Sequence, residues 1–325
     1  MNKISFVVIA KNEIFNIEKC IHEIVDTAEC LDDYEIVFVD SASTDGTMQK
    51  VQGILNGKIR IIQITLNPNA ARARNLGADC AQFEYIFFID GDVVIDKAFL
   101  LFALDELRKN PKVGCVLGQL EEIQYSKGFG SVQKVIADRL NINERSINRI
   151  LPGGIFMVRK AVYTEIHGMD ERFDIYEDRD LGLRILKGHQ IIAVPYKMGT
   201  HHTVSYRDIY RIFSRLSLIR FIGLLLRRNF FDPKNLFLIV KLEYGLFLGM
   251  AAWVILGSYF IFHNIILLFI FLTILLFDLF KGLKVDRKDL PGRLVGHYFY
   301  PFIILESFIL FYPKKIQFKW IEINR

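Results

Sequence analysis

Three groups of residues have the types and spacing to do chemistry. Asp90-Gly-Asp92 sets two carboxylates one residue apart at the end of an apolar run. Such a pair can hold a hard divalent cation, Mg²⁺ or Mn²⁺, with substrate phosphates completing the coordination, and can bind a sugar or ribose hydroxyl. Asp40 ends another apolar run within Val39-Asp-Ser-Ala-Ser-Thr-Asp-Gly-Thr47. A carboxylate there can accept from the N3–H of a pyrimidine base, while Thr44 and Asp45 shape the loop into the next helix. Arg72 and Arg74, in Asn69-Ala-Ala-Arg-Ala-Arg-Asn-Leu-Gly77, would offset the charge of a diphosphate. Taken singly, each group also has an ordinary explanation: a solvated turn, a helix cap, an arginine on a helix surface.

The elements that must position these groups follow from periodicity. Short β-branched apolar runs at Ile4–Ala10, Glu35–Val39, Ile59–Ile64 and Tyr85–Ile89 read as buried strands, separated by helical stretches at Asn16–Ala28, Thr47–Leu55 and Asn69–Ala81. This alternation predicts an α/β fold with a mostly parallel sheet and helices on both faces. Ligands of such sheets gather beyond the carboxyl ends of the strands, where Asn12-Glu13, Asp40 and Asp90-Gly-Asp92 fall. Later strands are expected at Val113–Leu120, Ile155–Val158 and Ile191–Val194, with Gln124–Arg149 polar and partly helical. Glu177-Asp-Arg-Asp180 opens a helix with acids at its N-terminus, as the macrodipole prefers. Glu177 and Asp180, as like charges, would raise the pKa of Asp178. Gly153 and Gly154 would let the backbone approach an acceptor closely.

The 325 residues are 52% hydrophobic and 24% charged, but the apolar excess is concentrated. Tyr244 to Phe280 contains a single charged side chain, Asp278. This stretch is too long for one span, and His263-Asn264 divides it into expected spans at about 242–262 and 265–280. The net charge of +5 sits ahead of it: Arg207, Arg211, Arg215, Arg220, Arg227, Arg228 and Lys234 face only Asp208 and Asp232. Such a basic amphipathic helix suits anionic lipid headgroups and not nucleic acid, for which no motif is present. The expected division is a catalytic domain over 1–204, an interfacial basic region over 205–235 and a membrane domain over 236–325. The last holds a hairpin at about 242–280 and an interfacial or re-entrant helix at about 298–312. Basic residues on both flanks place the hairpin ends, and the catalytic domain, on the cytoplasmic side. Cys20, Cys30, Cys80 and Cys115 form no C-x-x-C pair and read as reduced thiols.

Together, Ile4–Thr47, Asn69–Gly77, Asp90-Gly-Asp92 and Glu177–Arg184 resemble family 2 glycosyltransferases of the GT-A fold, in that family's order, over about Lys3 to Ser205. The resemblance implies a nucleotide-diphosphate-sugar donor, a divalent metal and inversion at the anomeric carbon. It implies a donor-base loop of Ala10, Asn12 and Glu13, with Asp40 on the base. Asp90 and Gly91 would lie on the donor, and Asp92 on the metal. Asp178 would be the catalytic base, with Glu177 beside it on the acceptor side. One of His201 and His202 would complete the metal site, and His201 is preferred. Two departures leave the nucleotide open: the first loop reads Ile9-Ala-Lys-Asn12 where the family often has Pro-x-Tyr-Asn, and Asp40 is followed by Ser41 where a second acid is common. The expected acceptor is a hydroxyl of a lipid-linked glycan or, as a rival, polyprenyl phosphate. A nucleotidyltransferase would favour a glycine-rich loop that Ala10–Asn16 lacks, and a non-catalytic membrane protein would have no use for the acids.

Overall fold

A computed structural model describes residues 2–54, 57–150, 153–204, 216–285 and 290–323. The chain forms two compact units, Met1–Tyr206 with Lys314–Arg325, and Arg207–Pro313.

In the first unit, β1 (Lys3–Ala10), α1 (Ile17–Ala28), β2 (Asp33–Asp40), α2 (Thr47–Gly53), β3 (Ile59–Leu66), α3 (Ala70–Cys80) and β4 (Tyr85–Asp90) alternate as the sequence predicts. Next come β5 (Val93–Ile95), α4 (Lys97–Lys109), β6 (Val113–Tyr125), β7 (Val132–Ile136), β8 (Ser146–Ile147) and β9 (Phe156–Arg159). The unit closes with α5 (Lys160–Glu165), α6 (Glu177–Ile185), β10 (Gln190–Val204) and, from the C-terminal tail, β11 (Lys319–Ile323). The sheet order is β11-β3-β2-β1-β4-β9-β6-β10-β5, with β7 on β6 and β8 on β10. β3, β2, β1 and β4 run parallel; β9 is antiparallel to both β4 and β6.

The central strands are buried on both faces, with Phe6, Val7, Val8, Val37, Phe38, Phe87 and Phe88 fully inaccessible. This explains why they read as continuous apolar runs. α1 contributes the stripe Ile17, Cys20, Ile21, Ile24 and Ala28. α3 reaches the sheet through its small residues: a Cβ on Gly77 would lie 2.3 Å from a Val7 methyl. Caps fix two helix starts, with Asn69 Oδ1 accepting from Arg72 N at 2.8 Å and Asp96 Oδ1 from Ala98 N at 2.8 Å.

Three expectations change. The stretch 124–149 holds strands and loops among its described residues, and no helix. The Asp138 carboxylate accepts from the backbone of Leu120, Leu140 and Ile142, a local competitor to helical hydrogen bonding. β10 does not stop before Pro195 but runs on to Val204, absorbing the proline in register shifts between Ala193 and Gly199. The C-terminal tail, read as part of a membrane domain over 236–325, instead adds β11 to the edge strand β3. Arg60 forks onto Glu322 there at 2.7 and 2.9 Å.

The second unit contains α7 (Leu216–Arg228), α8 (Pro233–Leu242), α9 (Tyr244–Phe262), α10 (Ile265–Val285), α11 (Leu290–Tyr298) and α12 (Tyr300–Leu310). The basic stripe of Arg207, Arg211 and Arg215 lies outside the described residues. α9 and α10 are long and apolar enough to cross a membrane, and only 22% and 11% of their apolar windows are buried. α12 has 11 residues, about 16 Å of helix against a hydrocarbon core of about 30 Å. Against α12, α7 sets its apolar side and two of its arginines: Arg220 meets Glu306 at 3.3 Å, and Arg227 donates to Phe308 O and Phe311 O. Asp278, the lone acid of the apolar block, is fully buried against His297 Nδ1 at 2.7 Å.

Candidate active site

Register alone brings the first acids together. Ala10 pairs with Asp40 across β1–β2, and Ile9 with Asp90 across β1–β4. These residues therefore stand side by side at the carboxyl edge, where the strand order reverses. Gly91 N donates to Ile9 O at 2.8 Å, and a Cβ on Gly91 would come within 2.9 Å of Ala10 Cβ. The loop after β1 is stitched to the loop after β2. Asn12 N donates to Ser43 Oγ at 2.9 Å, Asn12 Oδ1 accepts from Thr44 N at 2.9 Å, Glu13 N donates to Thr47 Oγ1 at 2.8 Å, and Ile14 N donates to Asp45 Oδ2 at 3.0 Å. Asn12 takes φ +60, a conformation asparagine tolerates better than most residues.

Asp40 is fully buried. Its Oδ2 accepts from Ser43 N at 3.0 Å and Gln63 Nε2 at 3.1 Å, while its Oδ1 has no partner among the described residues. A buried acceptor left open in this way is suited to a ligand N–H.

Asp92 lies just before β5, which pairs antiparallel with β10 so that His201 stands opposite Val93. His201 Nε2 comes to 2.9 Å from Asp92 Oδ2. On the other side β10 is parallel to β6 with His201 opposite Glu122, and His201 Nδ1 lies 3.2 Å from Glu122 Oε2. Glu122 also meets Arg139 at 3.1 Å. Burial works against a charged imidazole, but the Asp92 and Glu122 carboxylates prevail and hold the His201 pKa above its ordinary value. His202 points elsewhere: its Nδ1 meets the Tyr125 hydroxyl at 2.9 Å. Of the two adjacent histidines, His201 is therefore the one facing the acids. Burial, reinforced by the Asp92 charge, pushes the Glu13 carboxyl up to about 7.

No cluster of three or more metal-ligating side chains occurs among the described residues. The donors present nevertheless fit a hard cation. Asp92 Oδ1 is buried without a partner among the described residues, and Glu122 on Nδ1 is the kind of carboxylate that orients a ligating imidazole through its other nitrogen. One carboxylate and one imidazole leave positions for phosphate oxygens and water.

Arg74 joins this cluster to α6. The guanidinium is buried, with Nη2 at 2.5 Å from Asp90 Oδ1 and Nη1 at 3.0 Å from Glu177 Oε1. Burial disfavours its charge, but Asp90, Glu177 and Asp178 outweigh that and raise its pKa. Gly154 makes the pair possible, since a Cβ there would fall 1.7 Å from Arg74 Nη2 and 2.7 Å from Asp90 Oδ2. A Cβ on Gly153 would meet nothing within 4 Å among the described residues. Tyr176, at φ +66, turns the chain so that α6 begins at Glu177-Asp178. Burial raises the pKa of Asp178 against the pull of Arg179, and burial likewise raises that of Glu177 against Arg74. Burial, and not the like charges of Glu177 and Asp180 that the sequence suggested, leads this rise at Asp178; Asp180 is held by Arg184 Nε at 2.8 Å. Arg72 is not part of the cluster either: its guanidinium donates to Asn67 O and Glu171 O and lies over the Phe318 ring. Sequence reasoning missed Glu122, whose importance depends on the β6–β10 register.

Comparison with known proteins bears on the fold that carries this cluster. Residues 5–166 match the family model described as Glycosyl transferase family 2, and the chain carries a domain of that family with the GT-A fold. The Poly-beta-1,6-N-acetyl-D-glucosamine synthase of Staphylococcus epidermidis RP62A is 26% identical over 113 residues, 31% of this chain and 27% of that protein. The synthase of the same name from Staphylococcus aureus COL is 23% identical over 210 residues, 60% of this chain and 48% of that protein. The chain thus spans about half or less of the length of these curated relatives. Among solved structures, S. aureus TarS 1–349 in complex with UDP superimposes with a TM-score of 0.51 at 20% identity, covering 69% of this chain and 65% of that one. The UDP-GlcNAc complex gives 0.51 at 19% identity, covering 69% and 66%.

Proposed function

We propose that this chain is a membrane-attached inverting glycosyltransferase that moves a sugar from a uridine diphosphate donor to a hydroxyl of a lipid-linked glycan. The observation that supports this reading most is the ion-paired chain Asp90–Arg74–Glu177, with Asp178 next on α6 and Asp40 ending the strand on the far side of β1, which sets a helix-borne base and a buried acid at the same sheet edge. The open Asp40 Oδ1 accepts the uracil N3–H, while Asn12 and Glu13 shape the wall beside it. Asp92 Oδ1 and His201 Nε2 would hold Mg²⁺ or Mn²⁺, which when bound neutralises charge on the leaving diphosphate.

Asp178 takes the proton of the acceptor hydroxyl. The acceptor oxygen forms its bond to the anomeric carbon as the opposite bond to the diphosphate breaks, its electron pair leaving with UDP. Arg74 holds Glu177 and Asp90 in fixed relation, so that base and donor meet in register. A sugar hydroxyl needs such a base, and burial raises the Asp178 carboxyl above its ordinary value, making it a stronger proton acceptor. Polyprenyl phosphate is already an anion and needs none. α9 and α10 anchor the chain, with the catalytic unit on the cytosolic face and anionic lipids around the basic segment.

The test is transfer from a labelled panel of UDP-sugars, beginning with UDP-N-acetylglucosamine, into membrane lipid extracts with Mg²⁺ or Mn²⁺. Label should pass into a lipid-extractable glycan, and chelation should stop it. No transfer from any member of the panel sinks the reading.

A further inference from the structure

Four rings form a consecutive run in the first unit. Phe15 and Phe129 lie 5.2 Å apart between centroids, Phe129 and Tyr125 5.5 Å, and Tyr125 stacks on His202 at 5.9 Å. The run begins at the surface, where Phe15 is 64% exposed, and ends at buried His202. Both ends adjoin the acids: His202 N donates to Asp92 O at 2.8 Å, and Phe15 follows Glu13 by two residues.

The backbone holds the middle of this run in an unusual conformation. The loop between β6 and β7 is closed by Ser126 N donating to Ser131 O at 2.9 Å, and carries consecutive positive φ values at Gly128 (+73) and Phe129 (+56). Glycine takes such a conformation freely, whereas a phenylalanine there is an outlier, because its Cβ crowds the carbonyl. What the chain gains is the Phe129 ring against Phe15 and Tyr125. Strain kept in a loop beside a site, with a half-exposed ring as its result, is an outlier from which a function can be inferred.

We infer that Phe15, Phe129 and Tyr125 form a stacking platform for a pyranose ring of the acceptor glycan, an inference that rests on the reading of the site given above. A pyranose has an apolar C–H face and a polar rim. The run offers matching surfaces: the exposed Phe15 ring and the half-exposed Phe129 ring, beside the Tyr125 hydroxyl, which meets His202 Nδ1, and the Gln124 side chain, 2.6 Å from Glu122. The donor base belongs elsewhere, since β6 and β10 lie on the opposite side of β1 from β2, which ends in Asp40.

The test is calorimetry on the full chain in detergent, with UDP and Mn²⁺ present, against neutral hexose and N-acetylhexosamine oligosaccharides of two to six units. At least one oligosaccharide should bind the wild type, and Phe15→Ala and Phe129→Gly should each weaken it about tenfold while UDP affinity stays within about twofold. Phe129→Gly relieves the positive φ but gives up the ring contacts, so its melting temperature should change by no more than a few degrees. No oligosaccharide binding to the wild type, or unchanged affinity in both variants, overturns the platform and leaves the donor reading intact. A loss confined to UDP gives the rings to the nucleotide and overturns it too. A lower melting temperature with unchanged sugar affinity makes the run of rings purely structural. Failure of UDP to bind the wild type overturns the donor reading and the platform with it.

Discussion

At the scale of single residues, the account depends on carboxylates whose environments differ. Asp178→Asn keeps the size and removes the base, so turnover should fall by about 10²–10⁴ while the dissociation constant for UDP, measured by calorimetry, stays nearly unchanged. Substantial turnover by this variant would point to an acceptor that is already an anion. Glu122→Gln keeps a hydrogen-bonding group on His201 but removes its charge, and should weaken Mn²⁺ affinity by about 10–100-fold. Unaltered affinity would separate His201 from the metal. Glu13 gives a test by pH. Its pKa in the folded chain, about 7, lies above the ordinary 4.5, so the folded state is penalised for carrying the charge above pH 7 and relieved as the pH falls toward 5. In the metal-free protein, Glu13→Gln should therefore melt higher than the wild type at pH 8, by about 2–4 °C, and the difference should shrink by pH 5.5. A constant difference across that range would contradict the assignment. The positions of Asp40 and Asp90 at strand ends, of Asp92 just beyond one and of Asp178 at a helix start were legible in the sequence because they are local features. Glu122 was not, since only the pairing of β10 with β6 puts it against His201. The fate of Arg72 was equally hidden, because its side chain is held by Asn67 O and Glu171 O, contacts that spacing cannot reveal.

At the scale of elements, strands are what set the site. The parallel core was readable because its strands are apolar on both faces and alternate with amphipathic helices. Two features resisted. β10 passes through Pro195 by a bulge that no local pattern announces, and β11 is a short edge strand whose partner, β3, is some 250 residues away. The joint between α6 and β4 is the most exposed to a single change. Gly154→Ala places a methyl group on the Arg74–Asp90 pair, and should lower turnover by about tenfold or more with only a small loss of melting temperature. Activity equal to the wild type would show that Arg74 can move without consequence. Removal of residues 314–325 strips Glu322 from Arg60 and Phe318 from Arg72, and leaves β3 as a bare edge. Limited proteolysis should then cut the first unit faster, and an unchanged digestion rate would make β11 dispensable.

At the scale of the whole molecule, the sequence contains two kinds of surface. One unit buries its apolar residues in a sheet, while the other shows Val254, Phe260, Phe269 and Phe277 more than half exposed, a surface that suits lipid and not water. The chain should stay with membranes through alkaline carbonate extraction, and its release into the supernatant would remove the anchor from the account. On the proposed function, a soluble donor is captured at the sheet edge and the acceptor is borne by lipid. That rests on the donor being where Asp40 and Asp92 put it. The most direct measurement is a calorimetric titration of the full chain with UDP, with and without Mn²⁺, in wild type, Asp40→Asn and Asp92→Asn. The account predicts Mn²⁺-dependent binding that each substitution weakens by about tenfold or more, Asp92→Asn also abolishing the metal dependence. Binding indifferent to Mn²⁺ and to both substitutions, or no binding at all, contradicts it.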